Sequence, residues 1–249
     1  MQYGICNLSI IPLRLDASDI SELISQVLYG EVFKVLEQWK KWSRIRLEYD
    51  NYEGWIDNKQ YKEISEEEYL TVDKADNIYS TDLVEIIKDE NGQLYPISIG
   101  SSLNGLSLLN HYYDGNSTSG DKDKSNIINT AFLYLNASTL RGGKTPFGID
   151  CSGFTQMVYK LNGYKLLRDV SQQATQGEAL SFIEESEPGD LAFFDNFEGE
   201  IIHVGIIMKD NYIIHAYGKV RIDRLDHSGI YNAETKTYTH KLRVIIKIV

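Results

Sequence analysis

The sequence predicts small β-barrels in the first half of the chain and an α+β domain in the second half. Short apolar runs separated by polar turns continue to about residue 116, and after residue 125 helical patterns alternate with β-branched runs. With 249 residues and 42% hydrophobic residues, the chain can form one large domain or two to three small ones.

The first barrel is predicted over residues 1–63. Polar turns separate its runs of strand character, which lie at 5–13, 31–37, 42–49 and 54–57. A second, more divergent barrel is predicted over residues 64–116. It is indicated by runs at 83–87 and 94–99 on either side of the turn signal Asn91-Gly92.

The third domain is predicted over residues 117–249. The Gly-, Ser- and Asp-rich segment 114–124 indicates the boundary before it. Ser125 is the expected N-cap of its first helix.

A second helix of this domain is predicted to begin at Cys151. Apolar residues follow at helical spacing, at 154, 157, 158 and 161, and Asn162-Gly163 is a typical helix end. Asp150 is the expected N-cap, which places Cys151 in the first turn. Because unpaired N–H groups and the helix dipole stabilise negative charge there, we expect a lowered thiol pKa. A buried structural cysteine is the alternative.

Two β-branched runs, 201–208 and 212–216, predict a hairpin whose strands carry His203 and His215. A two-residue loop would put these histidines on opposite faces of the sheet. An odd loop opposes His215 to Gly205 and puts both histidines on one face, within side-chain reach. We therefore predict an odd loop or a bulge.

Five short motifs occur in order in this domain: FGIDCSGF at 147–154, Arg168-Asp169, PGDLAFF at 188–194, HVGI at 203–206 and IHA at 214–216. Together they resemble the NlpC-type cysteine peptidases of bacterial cell-wall metabolism. Each motif alone is weak, and their order and spacing together are specific. The resemblance implies a papain-like α+β core, in which a nucleophile helix packs on an antiparallel sheet.

By this resemblance, Cys151 attacks a peptide carbonyl, His203 is the general base and then the general acid, and His215 orients His203. Acyl transfer needs this combination of nucleophile, base and orienting group. One departure is the stretch STLRGG at 138–143, where relatives have Pro-Tyr-Leu-Trp-Gly-Gly. Thr139 therefore stands in place of an aromatic hydroxyl.

The first barrel resembles the bacterial Src-homology-3-like (SH3-like) modules that accompany these peptidases, through LYGE at 28–31 and GWI at 54–56. The whole arrangement resembles γ-D-glutamyl-L-diamino acid endopeptidases, which cut the bond between D-glutamate and the diamino acid in murein stem peptides. The resemblance implies that the first barrel packs on the catalytic domain, so that only peptides with a free N-terminal L-alanine fit.

The same resemblance implies substrate-binding roles for Asp150 and Asp169 in the catalytic domain and for Glu31 and Tyr61 in the first barrel, and Ser152 is a further candidate beside Cys151. Carboxylates in a partly desolvated cleft discriminate for an ammonium group. Ser152 is small and leaves room for the substrate carbonyl. Each acidic residue also has a simpler reading: helix capping for Asp150 and Asp169, and surface solvation for Glu31.

Composition excludes several other functions. A net charge of −11 argues against nucleic acid and anionic surfaces as partners and favours cationic groups on a substrate. No run approaches the roughly 18 apolar residues of a membrane helix, so no membrane insertion is expected. The two cysteines exclude a disulfide framework. The chain start lacks a signal-peptide pattern, so we expect a cytoplasmic protein if Met1 is native, and a periplasmic or cell-envelope protein if a signal peptide was removed.

No cofactor and no metal are expected, because no recognisable ligand spacing accompanies the histidines. His111, His227 and His240 lie near predicted turns and are expected on the surface. Three functions remain open: hydrolysis of short murein peptides, a cysteine amidase or acyltransferase acting on intact wall or lipid, and a non-catalytic wall-binding protein. The change at Thr139 favours the second, and the presence of Cys151, His203 and His215 counts against the third.

Overall fold

The computed structural model describes residues 1–120 and 123–248, and it divides into two compact units. Among the described residues, the first unit holds 1–120 and 141–146, and the second holds 123–140 and 147–248. Residues 121 and 122 of the predicted boundary segment 114–124 lie outside the described residues.

The first unit begins with an antiparallel sheet built from short strands. These are β1 (Gln2–Ile5), β2 (Ile10–Arg14), β3 (Leu23–Leu28), β4 (Val32–Trp39), β5 (Trp42–Leu47), β6 (Glu53–Asp57) and β7 (Lys62–Ile64). The strand order is β3-β2-β6-β5-β4-β1-β7. Alternate residues of β5 are buried, as expected for a sheet with one face on a core, and the core includes Phe33, Ile45 and Ile56.

Two details of this sheet differ from the sequence prediction. The run 5–13 forms two strands instead of one, because the chain turns between Ile5 and Ile10. The strand β3 was not predicted, since Ser25 and Gln26 interrupt its apolar residues. Ser25 is nevertheless fully buried, so polar content alone does not mark this segment as a turn.

The rest of the first unit consists of smaller elements. They are α1 (Glu66–Lys74), β8 (Tyr79–Ser80), β9 (Val84–Asp89), β10 (Leu94–Ser98), α2 (Leu106–Leu109), β11 (His111–Tyr112), β12 (Ser117–Thr118) and β13 (Lys144–Thr145). The hairpin predicted around Asn91-Gly92 is confirmed, because β9 pairs antiparallel with β10. These strands form a three-stranded sheet, β10-β9-β11, and a two-stranded pair, β12-β8. A second SH3-like barrel over 64–116 stays a prediction.

The segment 141–146 belongs to the first unit although its neighbours in sequence belong to the second. Gly142 adopts a positive φ of 77°, and a side chain there would collide with the carbonyl oxygen of Leu23. The backbone N–H of Lys144 donates to Oε1 of Gln26 at 2.7 Å. Contacts with β3 therefore fix this segment on the first unit.

The second unit is a curved antiparallel sheet with helices packed on it. Its elements are α3 (Asn126–Phe132), β14 (Gly148–Ile149), α4 (Cys151–Leu161), α5 (Val170–Gln173), β15 (Glu178–Leu180), β16 (Leu191–Asp195), β17 (Ile201–Met208), β18 (Tyr212–Tyr217), β19 (Lys219–Asp226), β20 (Gly229–Asn232) and β21 (Thr237–Lys247). The order is β15-β21-β16-β17-β18-β19-β20, and β20 also pairs with β21. Short 3₁₀ turns lie at Ile183–Glu185 and Lys209–Asn211.

The helix predicted at Cys151 is confirmed in type and position. Asp150 is its N-cap and accepts a hydrogen bond from the backbone N–H of Gly153 at 2.7 Å. The apolar stripe that includes Phe154 and Met157 is fully buried. None of the described helices has the length and apolar character needed to cross a membrane.

Candidate active site

Cys151 is the first residue of α4, and the thiol faces the strand that carries His203. The backbone N–H groups of Val204 and Ser152 donate to the sulfur. Burial nevertheless raises the pKa of the thiol to about 11, and the Asp150 carboxylate adds to this effect. The expectation of a lowered thiol pKa is therefore wrong for the resting site, because desolvation outweighs the backbone N–H donors. Cys151 is therefore a thiol at neutral pH, and forming its thiolate needs a base.

The hairpin places both histidines on one face of the sheet, as predicted. Its loop is the three-residue turn Lys209–Asn211, in which Asp210 and Asn211 both have a φ of 59°. Gly205 then pairs with His215, which is the register expected for an odd loop. Nε2 of His203 and Nδ1 of His215 are 2.8 Å apart and share a hydrogen bond.

The pKa values of both histidines fall below 6.5. Burial lowers the pKa of His203 well below its usual value, and the neighbouring charges of His215 and His240 lower it further. Burial also lowers the pKa of His215, and it outweighs the opposing effect of a nearby carboxylate, Asp223. Both rings are therefore neutral at pH 7, and a neutral imidazole can accept a proton.

Sequence reasoning missed Asp223, the third member of this hydrogen-bonded chain. Its Oδ2 lies 3.0 Å from Nε2 of His215, and Arg221 donates to both carboxylate oxygens, at 2.7 and 3.0 Å. Burial raises the pKa of this carboxyl, but hydrogen bonds from His215 and Arg221 hold the pKa below its usual value. The sequence contains one sign of this role. Aspartate is uncommon inside strands, and Asp223 lies inside the strand-like run 219–226.

His240 was expected on the surface, and the structure corrects this. Its ring stacks on that of His203, with centroids 4.1 Å apart and planes inclined by 22°. Tyr217 contacts the same ring edge-on, with centroids 4.9 Å apart. Burial lowers the pKa of His240 to about 4. His240 comes from β21, whose position beside this site could not be read from local sequence.

The described residues include one cluster that could offer three metal ligands, namely His203, His215 and His240. Their ligand nitrogens lie within 4.8 Å of one another. The nitrogens of a tetrahedral zinc site are spaced by about 3.4 Å, because Zn–N bonds are about 2.0–2.1 Å. Here the nitrogens of His203 and His215 are 2.8 Å apart in a hydrogen bond, and His203 and His240 stack face to face. The arrangement suits proton transfer better than metal binding.

The predicted substrate-binding residues near Cys151 have structural partners. Oδ1 and Oδ2 of Asp150 accept hydrogen bonds from Arg168 at 3.0 and 2.7 Å, and Arg168 also donates to Oγ of Ser152 at 2.9 Å. Arg168 is buried. Asp169 is the N-cap of α5, and its backbone N–H donates to Gln172. Capping is thus present at both aspartates, and their substrate roles stay predictions.

Glu31 and Tyr61 lie in the first unit. Glu31 is 6% exposed, so the simple reading of a solvated glutamate is wrong. Its carboxylate accepts the N–H of Leu28 at 2.9 Å and lies 3.4 Å from Nζ of Lys144, which is also buried. The hydroxyl of Tyr61 shares a hydrogen bond with Ser43 at 3.1 Å. Their roles in binding substrate stay predictions.

His111, expected on the surface, is also tied into the fold. Its Nδ1 bonds to the hydroxyl of Tyr29 at 2.9 Å, and its ring stacks with Tyr95. His227 is exposed, as expected. Thr139 is exposed, and its backbone N–H donates to the carbonyl of Gly218.

Two families match this chain. The profile of the NlpC/P60 family matches residues 140–240, and that of the bacterial dipeptidyl-peptidase Sh3 domain matches residues 13–60. The chain carries an NlpC/P60 peptidase domain. The NlpC/P60 match includes Cys151, His203 and His215, and the Sh3 match lies in the first unit. Both resemblances drawn from the motifs are confirmed, as is the assignment of the protein as a cysteine peptidase.

Two named relatives match most of this chain, and a third matches part of it. It is 26% identical over 227 residues to the gamma-D-glutamyl-L-lysine dipeptidyl-peptidase of Bacillus subtilis (strain 168), covering 82% of this chain and 75% of the relative. It is 25% identical over 238 residues to a protein of the same name from Bacillus cereus, covering 82% and 70%. The probable endopeptidase p60 of Listeria seeligeri is 38% identical over 104 residues, covering 41% and 20%.

Among solved structures, an NlpC/P60 family protein from Bacillus cereus ATCC 10987 matches with a TM-score of 0.82. The match covers 99% of both chains at 20% identity. This likeness supports an NlpC/P60 fold with an SH3-like domain.

Proposed function

We propose that this protein is a cysteine endopeptidase that hydrolyses the γ-D-glutamyl-L-diamino acid bond of murein stem peptides with a free N-terminal L-alanine, in cell-wall peptide recycling or turnover. The observation that carries the proposal is the pairing of an NlpC/P60 domain with a bacterial dipeptidyl-peptidase Sh3 domain in one chain. Two relatives matched over 82% of the chain are named gamma-D-glutamyl-L-lysine dipeptidyl-peptidases, which supports the bond chosen.

The first half-reaction forms a thioester. His203 takes the proton of the Cys151 thiol, and the sulfur attacks the γ-carbonyl carbon of D-glutamate. Backbone N–H groups in the first turn of α4 stabilise the tetrahedral oxyanion. His203 then gives its proton to the departing amine of the diamino acid, and the C–N bond breaks. The thiol pKa of about 11 makes this base essential, because few thiolates exist at pH 7 without it.

The second half-reaction hydrolyses the thioester. His203, neutral again, takes a proton from water, and the resulting hydroxide attacks the same carbonyl carbon. The C–S bond breaks, and the proton returns to the sulfur of Cys151. His215 keeps the base in its reactive orientation through the 2.8 Å hydrogen bond between the two rings.

The free amine is selected, in this proposal, by the first barrel packing on the catalytic domain. The segment 141–146, shortly before Cys151 in sequence, belongs to the first unit. Asp150, Ser152, Asp169, Glu31 and Tyr61 are the proposed substrate-binding residues. The net charge of −11 favours a substrate carrying an ammonium group.

The same proposal covers the finer architecture. We assign residues 1–63 to the SH3-like barrel, 64–116 to a second and divergent SH3-like barrel, and 117–249 to a papain-like α+β domain. The hairpin of β9 and β10 supports the second barrel, and the packing of α4 against the sheet of β16–β21 supports the third domain.

A specific observation favours a second candidate, an endopeptidase that acts on intact wall and needs no free amine. The ammonium group of Lys144 lies 3.4 Å from the carboxylate of Glu31. The guanidinium group of Arg168 donates hydrogen bonds to both carboxylate oxygens of Asp150. Two proposed ammonium receptors therefore have cations of their own.

The deciding experiment compares L-Ala-γ-D-Glu-L-Lys with its N-acetylated form and with intact peptidoglycan. Cleavage of the free peptide alone supports the leading proposal, and equal rates on both peptides support the second candidate. Cys151→Ala removes the nucleophile, and Cys6→Ala is the matched control, because Cys6 is the other cysteine of the chain and is buried in the first sheet. Full activity of the Cys151→Ala variant overturns both candidates.

A further inference from the structure

We propose that Asp223, held in place by Arg221, is a positioning residue that sets the tautomers of His215 and His203. Through them it leaves Nδ1 of His203 unprotonated, ready to accept the proton of Cys151. This inference rests on the proposed function, in which Cys151 is the nucleophile and His203 its base.

Arg221 anchors the Asp223 carboxylate. Asp223 is 6% exposed, and Arg221 donates to both of its carboxylate oxygens. A carboxylate held by two guanidinium hydrogen bonds is fixed in orientation as well as in position. Its Oδ2 is thereby aimed at the ring of His215, 3.0 Å away.

The carboxylate of Asp223 fixes which ring nitrogens of His215 and His203 carry protons. An ionised carboxylate only accepts hydrogen bonds, so Nε2 of His215 must carry the proton of the contact with Asp223. A neutral imidazole carries one N–H, so Nδ1 of His215 is an acceptor. Nε2 of His203, 2.8 Å away, must then be the donor. Neutral His203 consequently has its lone pair on Nδ1, the other ring nitrogen.

The charges of Asp223 and Arg221 act on the two histidines in opposite directions. When His203 takes the thiol proton, its N–H points along the chain of hydrogen bonds toward Asp223, which favours the imidazolium. Arg221 lies on the far side of the carboxylate and opposes this effect, lowering the pKa of His215. His240, stacked on His203 from β21, is the other titratable ring facing the base. The resting base therefore stays neutral, and the carboxylate acts mainly by fixing which nitrogen is basic.

The test compares Asp223→Asn with Glu234→Gln in a Cys6→Ala background. Glu234 is a matched control, because its carboxylate also pairs with Arg221, at 3.2 Å, but its side chain is exposed. The readouts are kcat and KM on L-Ala-γ-D-Glu-L-Lys and the pH dependence of Cys151 alkylation by iodoacetamide. Alkylation needs no peptide substrate, so it reports on the thiol directly.

For Asp223→Asn we expect kcat to fall roughly 10- to 100-fold with KM changed little, because a hydrogen bond to a charged group is lost. Alkylation at neutral pH should slow as well, and Glu234→Gln should stay within about twofold of wild type. Asp223→Glu, which keeps the charge, should recover part of kcat. Wild-type kcat and alkylation in Asp223→Asn overturn the inference, whereas activity in Cys151→Ala overturns the proposed function instead.

A measurement on the unmodified protein keeps the inference testable if Asp223→Asn does not fold. In ¹⁵N NMR spectra, protonated and bare ring nitrogens of neutral histidine have distinct shifts. We expect Nε2 to be protonated and Nδ1 bare in both His215 and His203. A proton on Nδ1 of either ring overturns the inference.

Discussion

The buried pair of Glu31 and Lys144 gives a sharp prediction about the stability of the first unit. Both side chains are almost fully buried, and their charged atoms are 3.4 Å apart. At an effective dielectric constant of about 20, this separation corresponds to roughly 5 kcal/mol of attraction. That attraction offsets the cost of taking both charges out of water.

Replacing Lys144 by Met leaves the Glu31 carboxylate buried without its cation. We expect the Lys144→Met change to lower the free energy of unfolding by about 3–5 kcal/mol. The double variant Glu31→Gln/Lys144→Met removes both charges, so we expect it to lie within about 1 kcal/mol of wild type. Most of the loss in the single variant is therefore recovered by the second substitution.

Urea denaturation followed by tryptophan fluorescence measures the free energy of unfolding of the first unit, in which the pair lies. All three tryptophans, Trp39, Trp42 and Trp55, lie in the first sheet. Lys41→Met is the matched control, because Lys41 forms an exposed ion pair with Asp19 and should leave the urea midpoint unchanged. A Lys144→Met midpoint equal to that of wild type, with the same m value, would show that the pair does not compensate its burial.

Three further predictions concern the second unit. The folded protein holds His203, His215 and His240 neutral, whereas a histidine in the unfolded chain takes a proton near pH 6.5. The free energy of unfolding should therefore fall as the pH drops below about 6.5, and the part due to His240 should be lost by about pH 4. Urea midpoints measured across this pH range would show the loss. A Cβ at position 205 would lie 2.8 Å from Cβ of His215 and would displace that ring. Gly205→Val should therefore lower kcat/KM on the order of 100-fold, and wild-type kinetics would contradict this. Asp190→Ala should lower the free energy of unfolding by about 1–3 kcal/mol, because Lys124 and the backbone N–H of Glu187 both lose a buried acceptor. Circular dichroism in urea would detect this loss.

Local sequence signals predicted the nucleophile helix and the histidine hairpin well. The cap at Asp150 and the stop at Asn162 lie within one helix, and the register of His215 against Gly205 depends on a loop of three residues. Such features are fixed by backbone conformation over a few residues, so a single sequence contains them.

The residues that the sequence did not reveal are brought in by long-range packing. Asp223 reaches His215 from the next strand, and His240 reaches His203 from the last strand of the sheet. Lys144, the buried partner of Glu31, is 113 residues away from it in sequence. The raised thiol pKa also depends on tertiary burial, which a helix-start argument does not include.

The return of the chain to the first unit at 141–146 affects how the protein can be dissected. A chain shortened to begin at residue 123 would keep Arg141 and Lys144 but lose their partners Glu22, Gln26 and Glu31. No single cut therefore yields a catalytic fragment with all of its native contacts. Any change in activity after removal of the barrel would combine loss of the proposed substrate selection with loss of the contacts that hold residues 141–146. Point substitutions that preserve the fold are the cleaner way to separate these two effects.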